Sequence, residues 1–69
     1  MIAVYTTNVA NNTQARQTLT LLKTVSPDAG INFDLSDGEK ILRIDGSLDS
    51  IQAITDYLYI SGIHFEILA

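Results

Sequence analysis

The chain has no cysteine, no tryptophan, one proline, one histidine and four basic residues among its 69. Without thiols, neither a disulfide framework nor a thiolate metal centre can form. A domain this small then depends entirely on its apolar core. Arg16, Lys23, Lys40 and Arg43 are scattered, and the formal net charge is -4. Nucleic-acid binding normally leaves a clustered basic footprint, so DNA, RNA and anionic membrane surfaces are not expected partners. No apolar run approaches the ~20 residues of a membrane span. Met1 leads directly into Ile2-Ala3-Val4-Tyr5, with no basic n-region and no small-residue cleavage site. The expectation is a soluble, cytoplasmic protein. G-x-S-x-G, P-loop and G-x-G-x-x-G motifs are also missing. Gly30, Gly38, Gly46 and Gly62 fall where turns or helix ends are expected.

What the chain does have is clear periodicity. Ile2 to Thr7 alternates as a strand, with Ile2, Val4 and Thr6 on one face and Ala3, Tyr5 and Thr7 on the other. Val4 is expected inside and Tyr5 outside. Asn8 to Asn12 breaks the strand, and Asn11-x-x-Gln14 resembles a capping box. Ala15, Leu19 and Leu22 then recur at helical spacing, until Ser26-Pro27 ends the helix. Ile31 to Ser36 alternates with Ile31, Phe33 and Leu35 inward. Asp37-Gly38 is a type I′ hairpin signal, and Lys40 to Asp45 returns. That turn sets Phe33 opposite Leu42 and Ile31 opposite Ile44, all on one face. Turn chemistry and hydrophobic alternation therefore give the same register independently. Asp49-x-x-Gln52 is a second capping box, and Ile51, Ile54 and Leu58 form the stripe of a second helix. Gly62 suits a left-handed C′ position, with Ile63 contacting Leu58. Ile63 to Leu68 is a last strand, with Ile63, Phe65 and Ile67 inward.

The order β-α-β-β-α-β with right-handed crossovers predicts one α+β domain over residues 1–69. It is a ferredoxin-like sandwich, two helices on one face of a four-stranded antiparallel sheet in the order 4-1-3-2. The inward set is Val4, Leu19, Leu22, Phe33, Leu42, Ile44, Ile54, Leu58, Phe65 and Ile67.

No catalytic constellation stands out. His64 is the only histidine, and it alternates with Ile63 and Phe65 onto the open sheet face beside Glu66. Asp34, Asp37 and Glu39 surround the hairpin without calcium-loop spacing. The open face is expected to present Tyr5, Asn32, Asp34, Ile41, Arg43, His64, Glu66 and Leu68. Within it, Tyr5, Ile41, Arg43, His64 and Leu68 form a candidate interaction surface. Tyr57, Ile60 and Ala53 rotate away from the helix stripe and form a second candidate patch.

The run Ile31-Asn32-Phe33-Asp34-Leu35-Ser36-Asp37-Gly38-Glu39-Lys40-Ile41-Leu42-Arg43-Ile44, with the helix pattern Ala15, Leu19, Leu22 and Val25, resembles the heavy-metal-associated domains of copper chaperones and metal-pumping ATPases. The resemblance covers essentially the whole chain. It implies a ferredoxin-like fold, and it implies a M-x-C-x-x-C loop between the first strand and helix that holds a soft metal ion. In this sequence Val9 stands at the methionine position, and Asn11 and Gln14 stand at the two cysteine positions. Neutral amides are poor ligands for soft metals. The scaffold is kept and the thiolate site is lost.

The leading expectation is therefore a non-enzymatic, metal-independent interaction module, either self-associating or bound to a protein partner, with no cofactor. A metal-handling protein with Asp, His or Asn ligands is the first alternative. A small-ligand regulatory domain resembling ACT modules, which share this topology, is the second; the chain shows no glycine-bearing ligand loop after its first strand. An RNA-recognition module would need a basic face and an aromatic pair in the central strands. An enzyme of the acylphosphatase type would need an arginine near the first β-α loop, and the nearest, Arg16, falls on the outward side of the helix.

Overall fold

The computed structural model describes residues 1–35 and 40–68. They form β1 (Ile2–Thr7), α1 (Asn12–Val25), β2 (Gly30–Asp34), β3 (Ile41–Asp45), α2 (Leu48–Ile60) and β4 (Phe65–Ile67). The strands make one antiparallel sheet in the order β2-β3-β1-β4, which is the ferredoxin-like topology. Both helices cover the same sheet face. Leu22 of α1 and Ile51, Ile54 and Leu58 of α2 share one core with Tyr5, Ile31, Leu42 and Ile44. The Asp37-Gly38 turn lies outside the described residues, but the register inferred from it is present: Phe33 pairs with Leu42 and Ile31 with Ile44.

Local chemistry accounts for the element ends. Asn11 is the N-cap of α1; its Oδ1 accepts from the Gln14 N–H at 2.8 Å, and Gln14 Oε1 accepts from the Ala10 N–H at 2.8 Å. The first bond satisfies an N–H that a helix start would otherwise orphan; the return bond of a capping box would reach the Asn11 N–H, and here it lands one residue earlier, on Ala10. Ser26, ahead of Pro27, caps the other end. At α2 the cap is Ser47 rather than Asp49. The Ser47 hydroxyl accepts from the Ser50 N–H at 3.1 Å, which moves Asp49 into the first turn, where its charge complements the helix dipole. Gln52, expected to close a box back onto Asp49, instead donates to Asp56 Oδ1 at 2.9 Å. The helix ends in a Schellman motif. Gly62 has φ +79, the Ile63 N–H reaches the Leu58 carbonyl at 3.0 Å, and Ile63 packs on the core.

Three further expectations are corrected. First, the faces of β1 are exchanged. Tyr5 is buried at 7% exposure and lies opposite Leu42, while Val4 lies opposite Arg43 on the open face. Each β1 face carries apolar and threonine side chains, so alternation alone does not choose between them. Pairing decides: Tyr5 and Ala3 face the fully buried Leu42 and Ile44. Phe65 then packs edge-on against Tyr5, with ring centroids 5.6 Å apart. Second, Ile67, expected inside, is 78% exposed even though it lies opposite Tyr5 on the helix-covered side. β4 is a three-residue edge strand, and the helices do not extend over its far end. Third, β3 begins at Ile41, because Lys40 sits at φ +55, outside the β region.

Leu22, Leu42, Ile44, Ile54, Leu58 and Val9 are completely buried. At about 1.5–3 kcal/mol for each such side chain, their burial equals or exceeds the net stability expected of a domain this size. Val9 is buried in the β1–α1 loop, not in a regular element, and lies outside the main cluster of core side chains.

Candidate functional site

Two regions hold the candidate residues: the β1–α1 loop and the open sheet face. In the loop, the three sequence-predicted positions have distinct roles. Val9 is buried; its N–H reaches Thr7 Oγ1 at 3.3 Å. Asn11 and Gln14 are turned onto the helix start by their capping bonds. Asn8 is also engaged. Its N–H donates to the His64 carbonyl at 3.1 Å, and its Oδ1 accepts from the His64 N–H at 3.1 Å. The amides of Asn8, Asn11 and Gln14 thus hold the loop to α1 and to the start of β4. Asn12 lies beyond them and lines a groove of about 420 Å³ with Ala15, Phe33, Asp34 and Leu35.

The open face follows from strand register. One row runs Asp34, Ile41, Thr6, Glu66 across β2, β3, β1 and β4. The next runs Asn32, Arg43, Val4, with Leu68 beyond, tied by its N–H to the Val4 carbonyl at 2.8 Å. Of the predicted surface residues, Ile41, Arg43, His64 and Leu68 belong to this face, and Tyr5 does not. Val4 takes the place assigned to Tyr5, and Ile2, 61% exposed, extends the apolar strip toward the first residue. His64 and Glu66 stand side by side, Nε2 to Oε1 3.3 Å. The terminal amine lies 3.9 Å from Asp45. Both pairs are well exposed, where such contacts contribute little to stability.

Elsewhere, Tyr57 packs against the core, whereas Ile60 is 83% exposed. Arg16 is exposed on α1. Asp37 and Glu39 lie outside the described residues. Among the described residues, no three His, Asp or Glu side chains come close enough to share a metal ion. Among them too, no helix is long and apolar enough to cross a membrane.

Sequence reasoning missed two polar residues that the fold buries. Thr18 completes the inner face of α1, and Ser26 sends its hydroxyl to the Ser50 carbonyl at 3.4 Å, linking the end of α1 to the first turns of α2. The helical period through Ala15 and Leu22 places Thr18 on that face, so spacing was the available signal. The Ser26 contact depends on helix packing and had none.

No family model, curated protein or solved structure matches the chain.

Proposed function

We propose that this chain is a non-enzymatic, metal-independent protein-interaction module of the cytoplasm, on a scaffold resembling heavy-metal-associated domains. The observation that carries the reading is that the side-chain oxygens of Asn11 and Gln14 are both already taken by main-chain N–H groups at the start of α1. At the two positions where the resemblance implies thiolates, Asn11 Oδ1 accepts from the Gln14 N–H and Gln14 Oε1 from the Ala10 N–H, each at 2.8 Å. These oxygens close a helix start, and an amide oxygen is a hard, weak donor to soft ions in any case. The buried Val9 puts hydrocarbon at the position where the resemblance implies methionine. What remains for recognition is the open face, where Val4, Ile41 and Leu68 surround Arg43.

Isothermal titration with copper(I), zinc and nickel tests the reading. The expected result is no tight binding by the natural chain. Asn11→Cys combined with Gln14→Cys should create a soft-metal site, because thiols at a helix N-terminus ionise readily. Micromolar or tighter binding by the natural chain would overturn the reading and direct attention to His64 and Glu66. A folded double-cysteine chain that binds no better than the natural one would refute the loop alignment.

A further inference from the structure

The sheet has one edge whose apolar side chain is left uncovered on the side the helices otherwise protect. Ile67 lies opposite Tyr5, yet it is 78% exposed where Tyr5 is 7%. The main chain of β4 explains which groups remain available. The Leu68 N–H bonds the Val4 carbonyl and the Asn8 N–H bonds the His64 carbonyl, so residues 64, 66 and 68 address β1. By the alternation of an antiparallel ladder, the N–H and C=O of Phe65 and Ile67 point away from the sheet. Among the described residues no strand lies beyond β4. Phe65-Glu66-Ile67 carries no lysine, proline or bulge, and the edge defences it does have are its shortness and the charge of Glu66.

We propose that this edge pairs with the same edge of a second copy, joining two four-stranded sheets through antiparallel β4 strands. The commitment to a second copy comes from the side-chain pattern. A two-fold axis at Phe65 sets each Phe65 against the partner's Phe65, a pair whose outward N–H and C=O groups can exchange both ladder bonds. His64 then stands opposite the partner's Glu66, and Ile67 opposite the partner's Ile63. The side-chain pairs are complementary: His64, 3.3 Å from Glu66 of its own chain, exchanges that carboxylate for the partner's on the open face, and aliphatic meets aliphatic on the helix side, while the Ile63 N–H stays with the Leu58 carbonyl. Shifting the axis by one residue, to Glu66, would instead set the two Glu66 carboxylates against each other. The pattern His64-Phe65-Glu66 is thus self-complementary in one register and repulsive in the adjacent one. A strand of this length buries an area at the low end for specific interfaces, so the dimer is reversible and concentration-dependent. The inference rests on the interaction-module reading and goes beyond it, since it adds the β4 edge to the open face.

Sedimentation equilibrium of the full chain, from about 1 μM to about 1 mM, tests the proposal. The expected result is a reversible monomer–dimer equilibrium. Ile67→Lys should weaken it about tenfold or more, since two copies of each cross-strand pair are lost. His64→Glu, which opposes carboxylates, should weaken it about tenfold on the same reasoning. Adding Glu66→His to His64→Glu exchanges donor and acceptor and should restore the natural constant. Arg16→Glu, exposed on α1, should leave it unchanged. These side chains are exposed, and circular dichroism melts confirm that each variant folds. If Ile67→Lys unfolds, the His64/Glu66 exchange decides alone. A chain that stays monomeric throughout, a dimer indifferent to Ile67→Lys, or an exchange variant as weak as His64→Glu overturns the proposal. So does a dimer broken by Arg16→Glu, which would place the contact on α1. A monomeric chain that binds no metal would overturn this edge pairing while leaving the module reading intact, whereas tight metal binding would end that reading itself.

Discussion

Exchanging the two faces of β1 gives a sharp energetic prediction. Tyr5 is 7% exposed and meets Phe65 edge-to-face at a centroid distance of 5.6 Å. Truncating a buried aromatic to alanine removes its transfer free energy and leaves a cavity, together about 3–5 kcal/mol. A 69-residue domain has a net stability of about 3.5–10 kcal/mol. Tyr5→Ala should therefore remove much or all of it, lowering the melting temperature by about 15 °C or more. Tyr5→Phe keeps the ring and its contact with Phe65. The Tyr5 hydroxyl makes no hydrogen bond to the described residues, so losing it strands no group. The cost should be under about 0.5 kcal/mol, the level of a change away from any packing or hydrogen-bond feature. Val4 is the control. On the open face opposite Arg43, Val4→Thr should cost under about 0.5 kcal/mol; in a core the same hydroxyl would be buried at a cost of about 1–3 kcal/mol. Urea unfolding followed by circular dichroism gives all three values, provided the m-value is constant. If Tyr5→Ala unfolds within about 0.5 kcal/mol of the natural chain, or Val4→Thr costs more than Tyr5→Ala, the register placing Tyr5 inside is wrong.

Gly62→Ala should destabilise by about 1–2 kcal/mol through backbone strain alone, because φ is +79 and a Cβ there meets nothing within 4 Å; thermal melts measure it. Asn11→Ala removes the α1 cap and should cost about 0.5–2 kcal/mol, while Asn11→Asp should recover most of it; chemical unfolding distinguishes the two. Leu58→Ala, at a completely buried position, should cost about 2–5 kcal/mol, and a near-natural melt for that variant would remove α2 from the core.

Element order, both helices and the β2–β3 register were legible in the sequence for physical reasons that can be named. Helical and strand periods differ, so Ala15, Leu22, Ile51, Ile54 and Leu58 declare their elements without reference to any partner. The ends of α1 and the exit of α2 were legible because capping is local: Asn11 with Gln14, Ser26 before Pro27, and Gly62 each satisfy or free backbone groups within one turn. Where two local solutions competed, as Ser47 and Asp49 did at the start of α2, the local signal chose wrongly.

The candidate site was only partly legible. Asn11 and Gln14 announced a capping arrangement, but the loop's second anchor, Asn8 bonded to His64, joins residues 56 apart in sequence and depends on β4 docking beside β1. The orientation of β1 was likewise settled by its partners. Both of its faces carry enough hydrocarbon to be buried, and the fully buried Leu42 and Ile44 select the one bearing Ala3 and Tyr5. The exposure of Ile67 is the clearest case of tertiary control. Its period assigns it to the covered side, and its register opposite Tyr5 agrees. Phe65, in the same edge strand, still packs against the core; only Ile67's place at the far end of that strand leaves it in solvent. Periodicity reports which side of a strand a residue takes; whether another layer lies over that side depends on how far the helices extend, which no spacing within the strand encodes.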